Sequence, residues 1–297
     1  MTWQADLMRL TMLRIVRPAI GRANPPTRLR QRMLRIARWA FRQPPLTLNL
    51  PVSGGLWVSN RPRNDGVLLY FHGGAYLMGA PETHAALLAE LAVRTGARAF
   101  LPRYRLAPEH PFPAAFDDAV AAWERLRALG HPADQIVLGG DSAGGGLALA
   151  LLSHLCVTGQ RPAGAFLLSP WTDLTLSGAS LVTNARREQM LPAHRMTEIR
   201  ALILGAARPN DAGDPRLSPL HAAFPDAPPV LIHVAESEIL RDDSLRLRHR
   251  LPDAIIRIAG DLPHVWPVLH QYLPEARVTL DQTAAFITAC LPGETPN

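Results

Sequence analysis

The sequence predicts an α/β fold: a mostly parallel sheet with helices on both faces. Two observations carry this. Short apolar runs alternate with amphipathic segments from about Pro44 onward, and a glycine-flanked serine sits where one such strand turns directly into a helix. With 297 residues, 47% hydrophobic and 19% charged, the chain is long enough for one large domain with a sizeable core.

The strands expected are Leu56–Ser59, Val67–Phe71, Arg98–Pro102, Ile136–Gly140, Ala165–Ser169, Val230–Ala235 and Ile255–Ala259. Helical patterns lie between and after them at His84–Thr95, Ala114–Leu129, Gly146–Val157, Asp242–Leu251 and Glu275–Cys290. The stretch from Ser180 to residue 210 has no strand pattern and reads as a helical insertion around Ala193–Ala206. Residues 1–45 form a separate N-terminal segment, and residues 46–297 the main domain. Leucine, isoleucine and methionine at helical spacing predict two amphipathic helices in that segment, broken at Pro18 and again at Asn24-Pro25-Pro26. Such apolar stripes face either a membrane surface or the rest of the protein as a lid; the second is the commoner use. Met8, Met12, Met33, Trp39, Phe41 and Met190 are the apolar residues available to line that lid.

Composition excludes several chemistries. All 31 basic residues are arginine, so Schiff-base catalysis, a Ser-Lys dyad and a phosphate-binding lysine are impossible. The net charge of +6 fits an arginine-biased surface without requiring nucleic acid. Cys156 and Cys290 lack the spacing of a metal site or a disulfide framework. Arg9, Arg14 and Arg17 interrupt the one candidate leader, Leu7–Ile20, and no apolar run is long enough to span a bilayer. The expected compartment is the cytoplasm.

Gly140-Asp141-Ser142-Ala143-Gly144 is a GxSxG motif at a strand-to-helix turn. So sharp a turn requires small flanking residues, lifts the serine hydroxyl above the sheet and aims a helix N-terminus at it. Upstream, the strand Val67–Phe71 runs into His72-Gly73-Gly74-Ala75, small residues whose amides can converge on one point, as the oxyanion of an acyl intermediate needs. The expected donors are Gly74, Ala75 and Ala143, with Gly73 a further candidate. His72 lies within the loop and reads as a structural residue that holds it.

These motifs resemble those of the hormone-sensitive-lipase-like bacterial esterases, or family IV carboxylesterases, which have an HGGG-type loop followed by GDSAGG. The resemblance extends to Tyr104-Arg105-Leu106-Ala107-Pro108-Glu109-His110-Pro111-Phe112-Pro113-Ala114-Ala115, Ser169-Pro170-Trp171-Thr172-Asp173-Leu174 and Ser218-Pro219-Leu220, and covers about residues 60 to 290. Ala75 departs from the family's third glycine. The resemblance implies an α/β-hydrolase fold with a helical cap, made here by the N-terminal helices and the insertion. The fold's order of serine, acid and histidine points to His264 as base, in the loop after the last strand; His249 and His270 read as surface or packing residues. For the acid, the family's Asp-Pro-Leu-Arg-Asp run lays its catalytic aspartate onto Glu238, with Asp242 and then Glu236 as alternatives. The activity implied is hydrolysis of small, short-to-medium-chain hydrophobic carboxylic esters through an acyl-enzyme. No metal or cofactor is expected. The partner is a small-molecule ester, with no nucleic acid or integral membrane association and a homodimer left open. The same triad also serves lactonases and amide hydrolases, and the fold also occurs in catalytically silent binding proteins.

Overall fold

The computed structural model describes residues 2–23, 26–206, 208 and 210–291. Its centre is an eight-stranded sheet: β1 (Leu48–Val52), β2 (Gly55–Ser59), β3 (Val67–Phe71), β4 (Arg98–Pro102), β5 (Ile136–Asp141), β6 (Gly164–Leu168), β7 (Val230–Ala235) and β8 (Ile255–Ala259). The spatial order is β1-β2-β4-β3-β5-β6-β7-β8. Only the β1–β2 and β2–β4 pairs are antiparallel. Seven of the eight strands match the expected runs. β1 was not anticipated, because Asn49 and Pro51 make its sequence read as a loop. As an edge strand it has an unpaired side, where a proline costs no ladder hydrogen bond.

The α-helices are α1 (Trp3–Thr11), α2 (Arg17–Arg22), α3 (Leu29–Ala40), α4 (Pro81–Thr95), α5 (Ala114–Ala128), α6 (Ser142–Val157), α7 (Ser180–Thr183), α8 (Met196–Leu204), α9 (Arg241–Arg246) and α10 (Pro274–Cys290). The central strand β3 shows how they sandwich the sheet. Val67, Leu69 and Phe71 pack with Phe116, Trp123 and Leu126 of α5 and with Leu147 of α6. The alternating residues Leu68 and Tyr70 face Leu87, Leu88 and Leu91 of α4 and Leu280 and Ile287 of α10. A strand buried on both faces must be apolar throughout, and β3 is Val-Leu-Leu-Tyr-Phe.

At the N-terminus the expected break at Pro18 does not occur. A π-helical stretch, Met12–Val16, joins α1 to α2, and Pro18 lies in the first turn of α2. The wider π turn just upstream accommodates the ring and the missing N–H, so the helix continues through the proline. The second expected break falls on residues 24 and 25, outside the described residues. The insertion is helical as expected, with α8 following a 3-10 turn at Ala193–Arg195.

After β3 the chain first adds β4 on one side and then β5 on the other, so the sheet's direction of growth reverses between β3 and β5. The carboxyl ends of the strands at such a reversal leave a crevice that helices cannot close. The glycine-rich loop leaves β3 there and Ser142 leaves β5 beside it.

Candidate active site

Ser142 is the first residue of α6 and has a left-handed backbone, φ 53°. The turn is possible because Gly140 and Gly144 have no side chains. A Cβ on Gly144 would collide with the carbonyl oxygens of Phe71 and His72, and one on Gly140 with that of Gly144. The Ser142 carbonyl accepts the Trp171 N–H at 2.9 Å, which ties the turn to the loop after β6.

Sequence reasoning selected three residues from three loops, and the fold brings them into one hydrogen-bonded line. His264 Nε2 lies 2.9 Å from Ser142 Oγ, and His264 Nδ1 lies 2.6 Å from Glu238 Oε2. Glu238 can only accept, so Nδ1 carries the proton and Nε2 is left to accept from the serine hydroxyl. Burial by itself depresses the His264 imidazole. The Glu238 carboxylate beside it, helped by Glu188 and Asp141, outweighs this and raises it above the ordinary histidine value. The second oxygen of Glu238 accepts the Ser169 hydroxyl at 2.8 Å and the Ala235 N–H at 2.7 Å.

The two alternative acids lie elsewhere. Asp242 accepts the Ser180 N–H at 2.8 Å and pairs with Arg241, while Glu236 pairs with Arg241 nearer the surface. Asp243 is buried, and its Oδ2 accepts the Thr172 and Asp173 N–H groups at 2.7 and 2.9 Å. Its carboxyl is pushed up to about 7, chiefly by burial and then by Asp173 nearby. It fastens the loop after β6 and makes no contact with His264.

The loop after β3 passes through three consecutive left-handed residues, Gly74, Ala75 and Tyr76. Neither Gly74 nor Ala75 donates its N–H to another group among the described residues. The Ala143 N–H belongs to the first turn of α6, where no intrahelical acceptor exists. Gly73 differs from the expectation. Its N–H donates to Asp141 Oδ1 at 2.8 Å, so it is engaged in holding the loop and is not available to an oxyanion. The same carboxylate accepts the Tyr70 hydroxyl at 2.9 Å and lies 3.1 Å from His84 Nε2. Burial would raise Asp141, but His84, Tyr70 and the Gly73 N–H prevail and hold it below its usual value. His72 is structural, as its position suggested. It stacks on Tyr104 at 4.4 Å, its Nδ1 lies 2.9 Å from the Gly73 carbonyl, and burial lowers it to about 3, so it stays neutral. Beside the loop, a narrow cleft is lined by Tyr76, Phe112, Phe116, Leu147, Ile203 and Leu217, with Arg105, His110 and Arg216 also on its walls.

Four supporting residues have no part in the site on the sequence reading. Ser169 bridges the Glu238 carboxylate and the Val265 N–H, the latter at 3.2 Å. Asn184 donates to the Glu236 and Glu238 carbonyls. Glu188 accepts the Met190, Leu191 and Ile239 N–H groups, and its carboxyl is raised, first by burial. Asp243 is the fourth. The signal for Ser169 was its place at a strand's carboxyl end. Glu188, within a polar stretch of the insertion, had no sequence signal.

A serine hydroxyl held by a carboxylate-oriented imidazole, next to unpaired amides at a strand-to-helix turn, defines a serine hydrolase of the α/β-hydrolase type. A family model described as the alpha/beta hydrolase fold matches residues 68–259. An acetyl-hydrolase of Streptomyces hygroscopicus is 37% identical over 236 residues, 78% of each chain. An esterase of Acinetobacter venetianus is 35% identical over 229 residues, 75% of each. Among solved structures, an esterase of the bacterial hormone-sensitive lipase family superposes with a TM-score of 0.88 at 34% identity, over 98% of this chain and 99% of that one. The chain belongs to the α/β-hydrolase family, among the hormone-sensitive-lipase-like esterases known as family IV carboxylesterases, and is a carboxylic-ester hydrolase. Among the described residues no helix is long and apolar enough to cross a membrane.

Proposed function

We propose that the protein hydrolyses small, short-to-medium-chain hydrophobic carboxylic esters through an acyl-enzyme on Ser142, with His264 as general base and Glu238 as the acid. The observation that carries this reading is the unbroken line from Ser142 Oγ to His264 Nε2 and from His264 Nδ1 to Glu238. As Ser142 Oγ bonds to the ester carbon, its proton passes to His264 Nε2, and Glu238 stabilises the resulting imidazolium. The carbonyl oxygen becomes an oxyanion that the Gly74, Ala75 and Ala143 amides receive, each such donor contributing on the order of 10²–10³ in rate. Collapse expels the alcohol, which takes the proton from His264. A water then gives its proton to His264 and attacks the acyl carbon, releasing the acid and restoring Ser142.

The cleft of Tyr76, Phe112, Phe116, Leu147, Ile203 and Leu217 runs between the amide loop, which supplies Tyr76, and the nucleophile's helix, which supplies Leu147, and is narrow, so the apolar group of an ester enters there only as these side chains part. The N-terminal helices and residues 180–210 act as its cap. Arg195 of the insertion donates to the Ile20 and Ala23 carbonyls, and Arg17 to those of Ala185 and Glu188, which supports the two pieces working together. The enzyme acts in the cytoplasm. The test is hydrolysis of p-nitrophenyl esters of increasing acyl length, with intact-mass detection of acylated Ser142 after rapid acid quench. Activity should peak at short to medium chains with a covalent adduct on the peptide bearing Ser142. An unlabelled serine during turnover would overturn the acyl-enzyme.

A further inference from the structure

The N-terminal segment is electrically unlike the rest of the chain. Residues 1–42 hold ten of the 31 arginines and, in Asp6, one of the 25 acidic residues. Residues 43–297 carry more acidic side chains than basic ones, so the protein's entire positive excess lies in these helices. Two of the ten arginines point inward. Arg17 bonds the Ala185 and Glu188 carbonyls, and Arg30 bonds the Leu77 and Ala107 carbonyls and pairs with Glu109. Arg9, Arg14, Arg22, Arg28, Arg32, Arg35, Arg38 and Arg42 are exposed, and among the described residues none of them pairs with a carboxylate.

The same helices expose large apolar groups. On α1, Trp3, Leu7 and Leu10 recur at helical spacing opposite the buried Ala5 and Met12, with Trp3 71% exposed. On α3, Trp39 is 88% exposed and lies one and two turns beyond Arg35 and Arg32, with Ile36 beside it and Ala37 buried on the other side. Trp39 therefore lines no lid interior, contrary to its sequence-based expectation. A polyanion such as nucleic acid explains the arginines but gives no return for exposed leucine, isoleucine and tryptophan. A second copy of the same surface would repel the first.

We propose that the outer face of α1 and α3 is an interfacial membrane-binding surface for anionic phospholipid bilayers. Trp3, Leu7, Leu10, Ile36 and Trp39 enter the headgroup region while the arginines hold lipid phosphates. The helices lie on the bilayer and do not span it. Arg30 joins α3 to the Leu77 carbonyl, directly after the amide loop and Tyr76, so the docked face is fastened to the elements that form the site.

The test is flotation of the full chain with vesicles of phosphatidylcholine alone or mixed with phosphatidylglycerol, at low salt and at about 0.5 M, where screening is short-ranged. Each arginine near an anionic surface is worth about fivefold in partition, so Arg32→Gln/Arg35→Gln/Arg38→Gln should lose about a hundredfold on the anionic vesicles. Trp3→Ser/Trp39→Ser should weaken vesicle binding and leave retention on a duplex oligonucleotide unchanged. Both variants should keep wild-type hydrolysis of a short soluble p-nitrophenyl ester, which confirms folding. Equal binding to the two vesicle types overturns the proposal, as does no binding to either at low salt. Vesicle binding indifferent to the tryptophans, or a change from dimer to monomer in the arginine variant without vesicle binding, also overturns it.

Discussion

The loop after β3 and the loops after β7 and β8 meet at Ser142 but are held in different ways. The first is fixed from behind by one buried carboxylate, Asp141, which takes the Gly73 N–H and leaves the next two amides unpaired. The second pair is fixed through a chain of side chains in which each group orients the next: Ser169 and Ala235 hold Glu238, Glu238 holds His264, and His264 faces Ser142. A rigid cradle suits a group that receives charge without moving. A relay suits a group that must exchange a proton. On the proposed mechanism, damage to the two sides should therefore give different kinetic signatures.

Removing the shared centre tests the scheme most severely. Ser142→Ala should lower kcat by on the order of 10⁶ while the chain stays folded by circular dichroism. On the relay side, Glu238→Gln should cost on the order of 10⁴ in kcat, because an amide can stabilise the wrong tautomer and cannot compensate an imidazolium. His264 must be neutral to take the serine proton, so kcat/KM rises with pH through its raised pKa. Without Glu238 that acid limb should move to lower pH in the residual activity. Asp242→Asn should change kcat by less than about threefold, because Asp242 meets the Ser180 N–H and Arg241 and not His264, and a partly exposed pair is worth roughly 0–1 kcal/mol; a loss comparable with that of Glu238→Gln would transfer the acid role. On the cradle side, Asp141→Asn should lower kcat by about tenfold, less than the on-the-order-of-10² loss of an amide donor itself, with the acid limb of the pH profile little moved. The smallest effect on turnover is expected at Arg30→Gln, whose cost falls on stability. It should cost about 1–3 kcal/mol in a denaturant titration, by leaving the Leu77 and Ala107 carbonyls short of a donor.

The parts of the molecule that could be read from the sequence are those where local pattern and tertiary role coincide. β3, β4, β7 and β8 were placed to the residue because short apolar runs bounded by turn residues have few other uses. Ser142 and His264 were reachable because each follows a strand at the sheet's carboxyl edge, and Glu238 because the family's acidic run aligns onto it. β1 was missed because Asn49 and Pro51 interrupt its apolar run, whereas the other edge strand, β8, keeps three isoleucines. Helix α6 starts at Ser142 and not at Gly146 because glycines there serve close approach and hide the helical signal. Gly73 was included among the oxyanion donors because sequence shows that an amide exists and not where it points; only the fold brings Asp141 to it. Glu188 and Ser169 act across long separations in the chain, and no local spacing encodes such a meeting.

The left-handed backbone at Ser142 has a wider consequence. Ala75, Tyr76, Ser169 and Val265 share that conformation, so among the described residues five of the nine non-glycine residues with positive φ surround this one crevice. Each sits against its intrinsic preference by an amount on the order of 1 kcal/mol. The crevice is thus the least comfortable part of the molecule, supported by the stability of everything around it. Glycine would relieve the strain at each position but would remove the hydroxyls of Ser142 and Ser169, so on the proposed mechanism endurance is exchanged there for turnover.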